Sequence, residues 1–278
     1  MKTMILKTAA LVLAIALIIG VCIFANALVG NPISKALARS TAEKHLAEKY
    51  GNTDYELGDV TYSFKDGYYH ASISSPSSID THFTLTINGF GKLQYDNYDY
   101  YVANGWNTAN RIEMEYRKAV ETLFDSAAIP YDVYIAYGEL AFVPAEQKNA
   151  PDTPEYALVT DELTMDAYYN ASEFGAKAGK LTVYVDDATV SVERLAEILL
   201  DIRAGFDDAR LGFYAIDCVL EYPRDEDGFA EDGRVEVMDF LYADIYAEGL
   251  TERVEASNAA AIAYYAAQDA EKLVEFPE

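Results

Sequence analysis

The chain has 278 residues, with 21 Lys or Arg against 46 Asp or Glu, for a formal charge of -25. The split is uneven: the first thirty residues hold two lysines and no acid, and the rest hold every one of the 46 acidic residues against 19 basic ones. So acidic a body excludes a nucleic-acid binder, which needs a basic face for phosphate, and a hydrophobic content of 51 % excludes disorder throughout.

No charged side chain falls between Lys7 and Lys35. Thr8 to Ala25 reads TAALVLAIALIIGVCIFA, and the apolar run continues through Ala27-Leu28-Val29. As a helix, residues 8–29 would span roughly 33 Å, enough for a hydrocarbon core of about 30 Å. Residues 1–30 are therefore read as an N-terminal membrane anchor. The alternative is a cleaved leader, with Lys2 and Lys7 as its basic start and Ala25-Asn26-Ala27 as its cleavage pattern. A leader's apolar core runs about 7–15 residues, and the greater length here favours the anchor. Lys35, Arg39, Lys44 and Lys49 follow the span, so positive charge alone does not fix its orientation. A short basic start before an apolar core is what export machinery reads. The expectation is thus a single-pass protein of the cell membrane with its acidic body outside the cytoplasm.

Asn31-Pro32 opens the next helix, with Asn as cap and Pro at the first helical position. Ala38, Ala42, Leu46 and Tyr50 form its apolar stripe, and Gly51-Asn52 is expected to end it as a left-handed cap. The period then drops to two. Val60-x-Tyr62-x-Phe64, Tyr69-x-Ala71-x-Ile73, Phe83-x-Leu85-x-Ile87 and Leu93-x-Tyr95 make a four-strand meander, turned at Lys65-Asp66-Gly67 and Asn88-Gly89-Phe90-Gly91. Trp106 to Ala127 reads as a long helix stopped before Pro130. Its Arg111, Arg117 and Lys118 form a basic cluster, read as local pairing with Glu113, Glu115 and Glu121, with an interaction surface as the lesser reading.

Tyr131–Phe142 alternates as one or two strands, and Pro144 to Pro154 reads as an exposed loop. A short helix falls within Asp166–Ala178. A strand through Leu181, Val183 and Val185 follows, then a helix capped by Ser191 with Leu195, Leu199, Ile202 and Phe206 inward. Strands through Ile216-x-Cys218-x-Leu220 and Met238-x-Phe240-x-Tyr242 and a closing helix over Thr251–Leu273 complete the chain. The fold class is α+β: an N-terminal transmembrane helix, then two helix-plus-antiparallel-sheet units over residues 31–128 and 129–278.

Chemistry is sparse. Cys218 is the one cysteine beyond the apolar run, so the body holds no intramolecular disulfide, and Cys218 reads as a small buried hydrophobe. His45, His70 and His82 lack the spacing of a metal site; His70 and His82 sit on neighbouring strands and could face each other, but they read as surface or half-buried polar residues. The sequence contains no nucleophile elbow, phosphate-cradling glycine loop or dinucleotide fingerprint, so no catalytic residue, metal or cofactor is assigned. The acidic loop at 225–233 reads as a solvated turn, with weak divalent binding as the alternative, because Ala230 and Phe229 spoil a calcium-loop pattern. The most distinctive stretch is Tyr95-Asp96-Asn97-Tyr98-Asp99-Tyr100-Tyr101, with Trp106 nearby. Its Tyr95, Tyr98, Tyr101 and Trp106 are candidate binding residues, able to stack on a sugar or grip a peptide. The competing reading packs Tyr95, Tyr98 and Tyr101 under the long helix.

The anchor, then Asn31-Pro32-Ile33-Ser34, then the Ala38, Ala42, Leu46, Tyr50 stripe, then a tyrosine-rich meander ending Gly91-Lys92-Leu93-Gln94-Tyr95-Asp96-Asn97-Tyr98, resembles the YfjL-like proteins. The likeness is clearest over residues 8–118. It implies a membrane-anchored protein of a Gram-positive bacterium, from an uncharacterised family that offers no catalytic residues to carry over. In order and shape the first unit is also similar to PepSY-type domains, which are extracytoplasmic and linked to protease regulation. The function expected is a non-enzymatic, membrane-tethered extracytoplasmic domain. It would hold the membrane through residues 8–29 and bind a protein, peptide or cell-wall component. The alternative is a divergent hydrolase of wall glycan or peptide, using Asp96 with Asp99 or Asp186 with Asp187.

Overall fold

The computed structural model describes residues 2–224 and 233–275; the acidic loop from 225 to 232 lies outside them. Helix α1 (Lys2–Val29) is the apolar run, and its Leu13, Ile18 and Phe24 are 63 %, 63 % and 67 % exposed. Helix α2 (Pro32–Lys49) begins just beyond the end of α1. Asn31 caps it as expected, its Oδ1 accepting from the Ser34 amide at 2.8 Å. The far end differs from expectation. Tyr50 ends the helix at φ -121°, its amide donating to the Leu46 carbonyl at 2.8 Å, and Gly51 is not left-handed.

Strands β1 (Glu56–Ser63), β2 (Tyr68–Ser75), β3 (Ser78–Ile87) and β4 (Leu93–Asp96) form the antiparallel meander in sequence order. The period-two pattern places Tyr69, Ala71, Ile73, Phe83, Leu85 and Ile87 in one buried core with Val60. Ala38 and Ala42 of α2, both fully buried, bring that helix close to the sheet because they carry no more than a methyl. The register separates the two strand histidines: His70 faces Thr86, and His82 faces Ser74, so they are not partners. His70 instead meets Asp66 at 2.9 Å.

Two compact units share the chain. The first comprises residues 1–108 together with 164–166; the second comprises 109–163 and 167–278. The short return segment is stitched to β3 by an exchange of bonds: the Asp80 amide donates to Asp166 Oδ1 at 3.0 Å, and the Asp166 amide to Asp80 Oδ2 at 2.8 Å. Thr108 Oγ donates to the same Asp80 oxygen at 2.9 Å, so this buried carboxylate is well supplied with donors.

Periodicity alone assigns the whole long helix to the first unit and sets the boundary at residue 128. Helix α3 (Trp106–Phe124) instead packs with the second unit from Ala109 onward. The reason is its buried face: Tyr116 and Val120 lie against Gly138 of strand β5 (Asp132–Leu140). After β5 come the short strands β6 (Phe142–Val143) and β7 (Leu158–Val159), which pair in parallel, then helix α4 (Ala171–Ala178) and β8 (Gly179–Asp186). Helix α5 (Val192–Ala209) follows, capped by Ser191 Oγ, which accepts from the Arg194 amide at 3.1 Å. Strands β9 (Ala215–Glu221) and β10 (Arg234–Leu241) and helix α6 (Leu250–Glu275) end the unit.

The sheet order is β10-β9-β8-β5. Two of its pairings are antiparallel, and β8–β9 is parallel, with α5 as the crossover. The fold class is α+β as expected, and within this mainly antiparallel sheet the single parallel pairing makes a central βαβ unit. Leu181, Val183 and Val185 of β8 and Ile216, Cys218 and Leu220 of β9 are all fully buried, as are Leu195, Ile198, Leu199, Ile202 and Phe206 of α5. Burial pushes the Cys218 thiol up to about 12, so it stays protonated and behaves as the small hydrophobe expected.

Candidate functional site

The tyrosine-rich segment lies in the first unit, where its rings divide between core and surface. Tyr98 joins an aromatic cluster, 5.2 Å from Tyr50 and 5.3 Å from Phe83 between ring centroids. Tyr101 is half-buried against the same core. Tyr95 is 65 % exposed, on β4. Trp106 stacks on Tyr100 at 5.9 Å with 17° between the planes, over a π-helical turn at Asp99–Ala103. Among the described residues Trp106 Nε1 is a buried donor without an acceptor.

Asp96 is the electrostatic centre of this unit. Its Oδ2 lies 2.8 Å from His45 Nε2, accepts from Lys49 Nζ at 2.8 Å and from the Tyr50 hydroxyl at 2.9 Å, while Oδ1 accepts from the Tyr98 amide at 3.1 Å. Burial alone would raise the Asp96 carboxyl, but Lys49, His45, the Tyr98 amide and Tyr50 outweigh it and hold the group down at about 2. Burial pushes the Tyr50 hydroxyl up to about 12. Asp99 is exposed at the start of the π-helical turn. Asp96 is thus the ionised end of a helix-to-strand clasp between α2 and β4.

In the second unit, Asp187 accepts from Arg194 Nε at 2.9 Å and Nη2 at 2.8 Å, a two-pronged pair, and also from the Thr189 amide at 2.8 Å. Its neighbour Asp186 is placed differently. The register sets Asp132, Asp186 and Glu221 side by side across β5, β8 and β9. Burial first, and then Glu221 and Asp132, raise the Asp186 carboxyl. Among the described residues no group of three His, Cys, Asp or Glu side chains has the arrangement to hold a metal ion.

One concavity is announced by no sequence pattern. A groove of about 720 Å³ in the second unit is lined by one stripe of α3 from Glu115 to Leu123 with Ser126 just past it, by Tyr168–Ser172 ahead of and within α4, and by Ala209, Arg210 and Leu211 at the end of α5. The basic cluster of α3 divides at its edge. Arg111 pairs with Glu115 at 3.5 Å and Arg117 with Glu113 at 3.6 Å, as spacing predicts, but Lys118 has no ion pair among the described residues and lines the groove. A smaller recess of about 380 Å³ continues from Arg210 and Leu211 toward Phe206, Phe213 and Tyr242. What hid the groove is distance: its walls come from α3, α4 and the end of α5, far apart in sequence.

Two family models match: the YfjL-like N-terminal domain over residues 5–97 and the YfjL-like C-terminal domain over residues 115–255. The chain belongs to the YfjL-like family. The match runs well past the residues where the resemblance was clearest, and it covers the groove as well as the meander. No curated protein matches. Among solved structures, a crystal structure of a DUF5037 family protein from Ruminococcus gnavus is similar at 17 % identity, over 67 % of this chain and 75 % of that one, with a TM-score of 0.24. These matches add nothing to the likeness with PepSY-type domains.

Proposed function

We propose that this YfjL-like protein is a non-enzymatic, membrane-tethered binding protein that carries its acidic body outside the cytoplasm. The observation that carries the reading is α1. It is 28 residues long, and its described side chains from Ala10 to Val29 are exposed rather than covered by other described residues. So much contiguous apolar surface is stable in lipid and costly in water. The helix is also joined firmly to the unit it carries. The Tyr62 hydroxyl donates to the Ala27 carbonyl at 3.0 Å, and the Tyr69 hydroxyl accepts from the Asn31 amide at 2.9 Å. Lys2 and Lys7 before the span support export of the acidic body behind it. The carboxylates support a binding role over hydrolysis, since Asp96 and Asp187 are both spent on structural contacts.

The test is topology in cells. The full chain, tagged at its C-terminus and expressed in bacteria, should stay with carbonate-washed membranes at full length. Protease added to intact spheroplasts should digest the body. A protected body would reverse the orientation, and a released product shortened after Ala27 would replace the tether with a cleaved leader.

A further inference from the structure

The groove of the second unit has apolar walls and an unbalanced positive charge, in a chain that carries -25. Lys118 and Arg210 both line it. Glu115 on the same wall is already bridged to Arg111, and Asp207 beside Arg210 is paired with Arg203 at 3.7 Å. Eight of the nine arginines reach a carboxylate or a carbonyl, and among the described residues only the Arg210 guanidinium reaches neither. Its backbone makes the choice of residue more telling. Arg210 sits at φ 55°, the left-handed cap of α5, where Gly or Asn is the favoured residue. The cap geometry does not ask for an arginine.

We propose that this groove binds a short acidic peptide segment of a partner protein, lying extended along α3. The helical stripe from Glu115 to Leu123 is roughly 12 Å long, which matches about three to four extended residues, and the volume falls in the ordinary range for ligand sites. Carboxylates of the peptide pair with Arg210, whose planar fork fits them, and with Lys118. Apolar side chains pack on Leu123 and Leu211, and the ring of Tyr168, 90 % exposed, closes over them. An anionic membrane surface is the poorer fit. Such surfaces are held by clusters of about 4–8 basic residues, whereas this recess presents two. This proposal rests on reading the chain as a binding protein and names the ligand class of that site.

The experiment is an anisotropy titration of full-length protein in zwitterionic nanodiscs. The probe is a fluorescein-labelled hexapeptide, Leu-Asp-Phe-Glu-Leu-Asp, against its neutral counterpart Leu-Asn-Phe-Gln-Leu-Asn. The acidic peptide should bind saturably and at least about tenfold more tightly than the neutral one. Arg210→Asn, which suits the left-handed cap, and Lys118→Gln should each weaken it by about tenfold. Lys65→Gln, on the meander turn of the first unit, should leave it unchanged. Equal affinity for the two peptides, unaltered binding in both groove variants, or no saturation by about 1 mM with a native circular dichroism spectrum would each overturn the proposal. Anionic vesicles that bind wild type and lose both variants would give the groove to membrane and overturn it as well. Peptide binding by a protein whose body proves cytoplasmic would keep the groove and sink only the topology.

Discussion

A β-carbon on Gly138 would lie 2.7 Å from Cε1 of Tyr116, closer than any real β-carbon contact. The glycine in β5 is what lets α3 bring a fully buried tyrosine this close to the sheet. On its other side the Tyr116 hydroxyl donates to the Gly212 carbonyl at 3.0 Å, so the ring ties α3 to the turn after α5. Gly138→Ala should therefore overpack the second unit and cost about 1–3 kcal/mol. Tyr116→Leu should cost about 2 kcal/mol by lost packing and an orphaned carbonyl. The two together should cost clearly less than their sum, because the clash vanishes with the ring. Thermal melts followed by circular dichroism read all three; strict additivity would show that the two residues do not share this space.

The Asp96 clasp predicts acid sensitivity in the first unit. Its folded carboxyl, at about 2, lies below the ordinary value of about 3.9. A lowered folded value means stability that is complete above about pH 4 and drains away as pH falls toward 2. Asp96→Asn should remove of order 2 kcal/mol at neutral pH and flatten the acid limb of the unfolding curve between pH 4 and about 2. An unchanged acid limb in the variant would assign that limb to other carboxylates.

Much of this was legible in the sequence, for local reasons. The meander is written in Tyr69-x-Ala71-x-Ile73 and Phe83-x-Leu85-x-Ile87, whose alternation fixes both strand and buried face. The caps at Asn31 and Ser191 were visible because each is a short-range bond between a side chain and an amide three residues on. What failed was long-range. Alternation in Leu181–Val185 and Ile216–Leu220 reads the same in a parallel or an antiparallel pair, so the crossover through α5 was invisible. The unit that owns α3 depends on Gly138, a residue whose absent side chain leaves no trace in hydrophobic periodicity. At the candidate site, Lys118 stands out within a basic cluster of the sequence, whereas Arg210 does not, because what sets it apart is the left-handed cap and the missing acceptor, both of which belong to the fold.

Asp186 should behave oppositely to Asp96. Burial and the adjacent carboxylates Glu221 and Asp132 raise it in the folded chain, and among the described residues its Oδ1 is buried without a hydrogen-bond partner. A raised folded value means the protonated form fits best. Stability from this site is therefore complete below about pH 4 and is lost as pH rises through the folded value. Asp186→Asn removes the charge and keeps the shape, so its Tm at pH 7 should exceed wild type by roughly 1–3 °C, with the gain gone near pH 3. A lower Tm at pH 7 would mean that the carboxylate makes a stabilising contribution that the contacts around β8 do not account for.

The junction between α1 and α2 is held by tyrosine contacts, and Gly30 is where they can be broken. Gly30 sits at φ 69°, and a β-carbon there would lie 2.7 Å from both Cγ of Tyr62 and the Tyr69 hydroxyl. The same Tyr69 hydroxyl accepts from the Asn31 amide and donates to the Asn31 carbonyl at 3.2 Å, fixing the residue that caps α2. Gly30→Ala combines left-handed strain of about 1–2 kcal/mol with displacement of two tyrosines, whereas Tyr69→Phe deletes only the bonds to Asn31, at about 1 kcal/mol. Both variants should speed limited proteolysis between residues 29 and 32 in detergent-solubilised protein, Gly30→Ala the more. The groove should keep its affinity for the acidic peptide in either variant, because Lys118 and Arg210 belong to the second unit. Unaltered cleavage in Gly30→Ala would mean that the tether already pivots at this point and that the two tyrosines do not hold it.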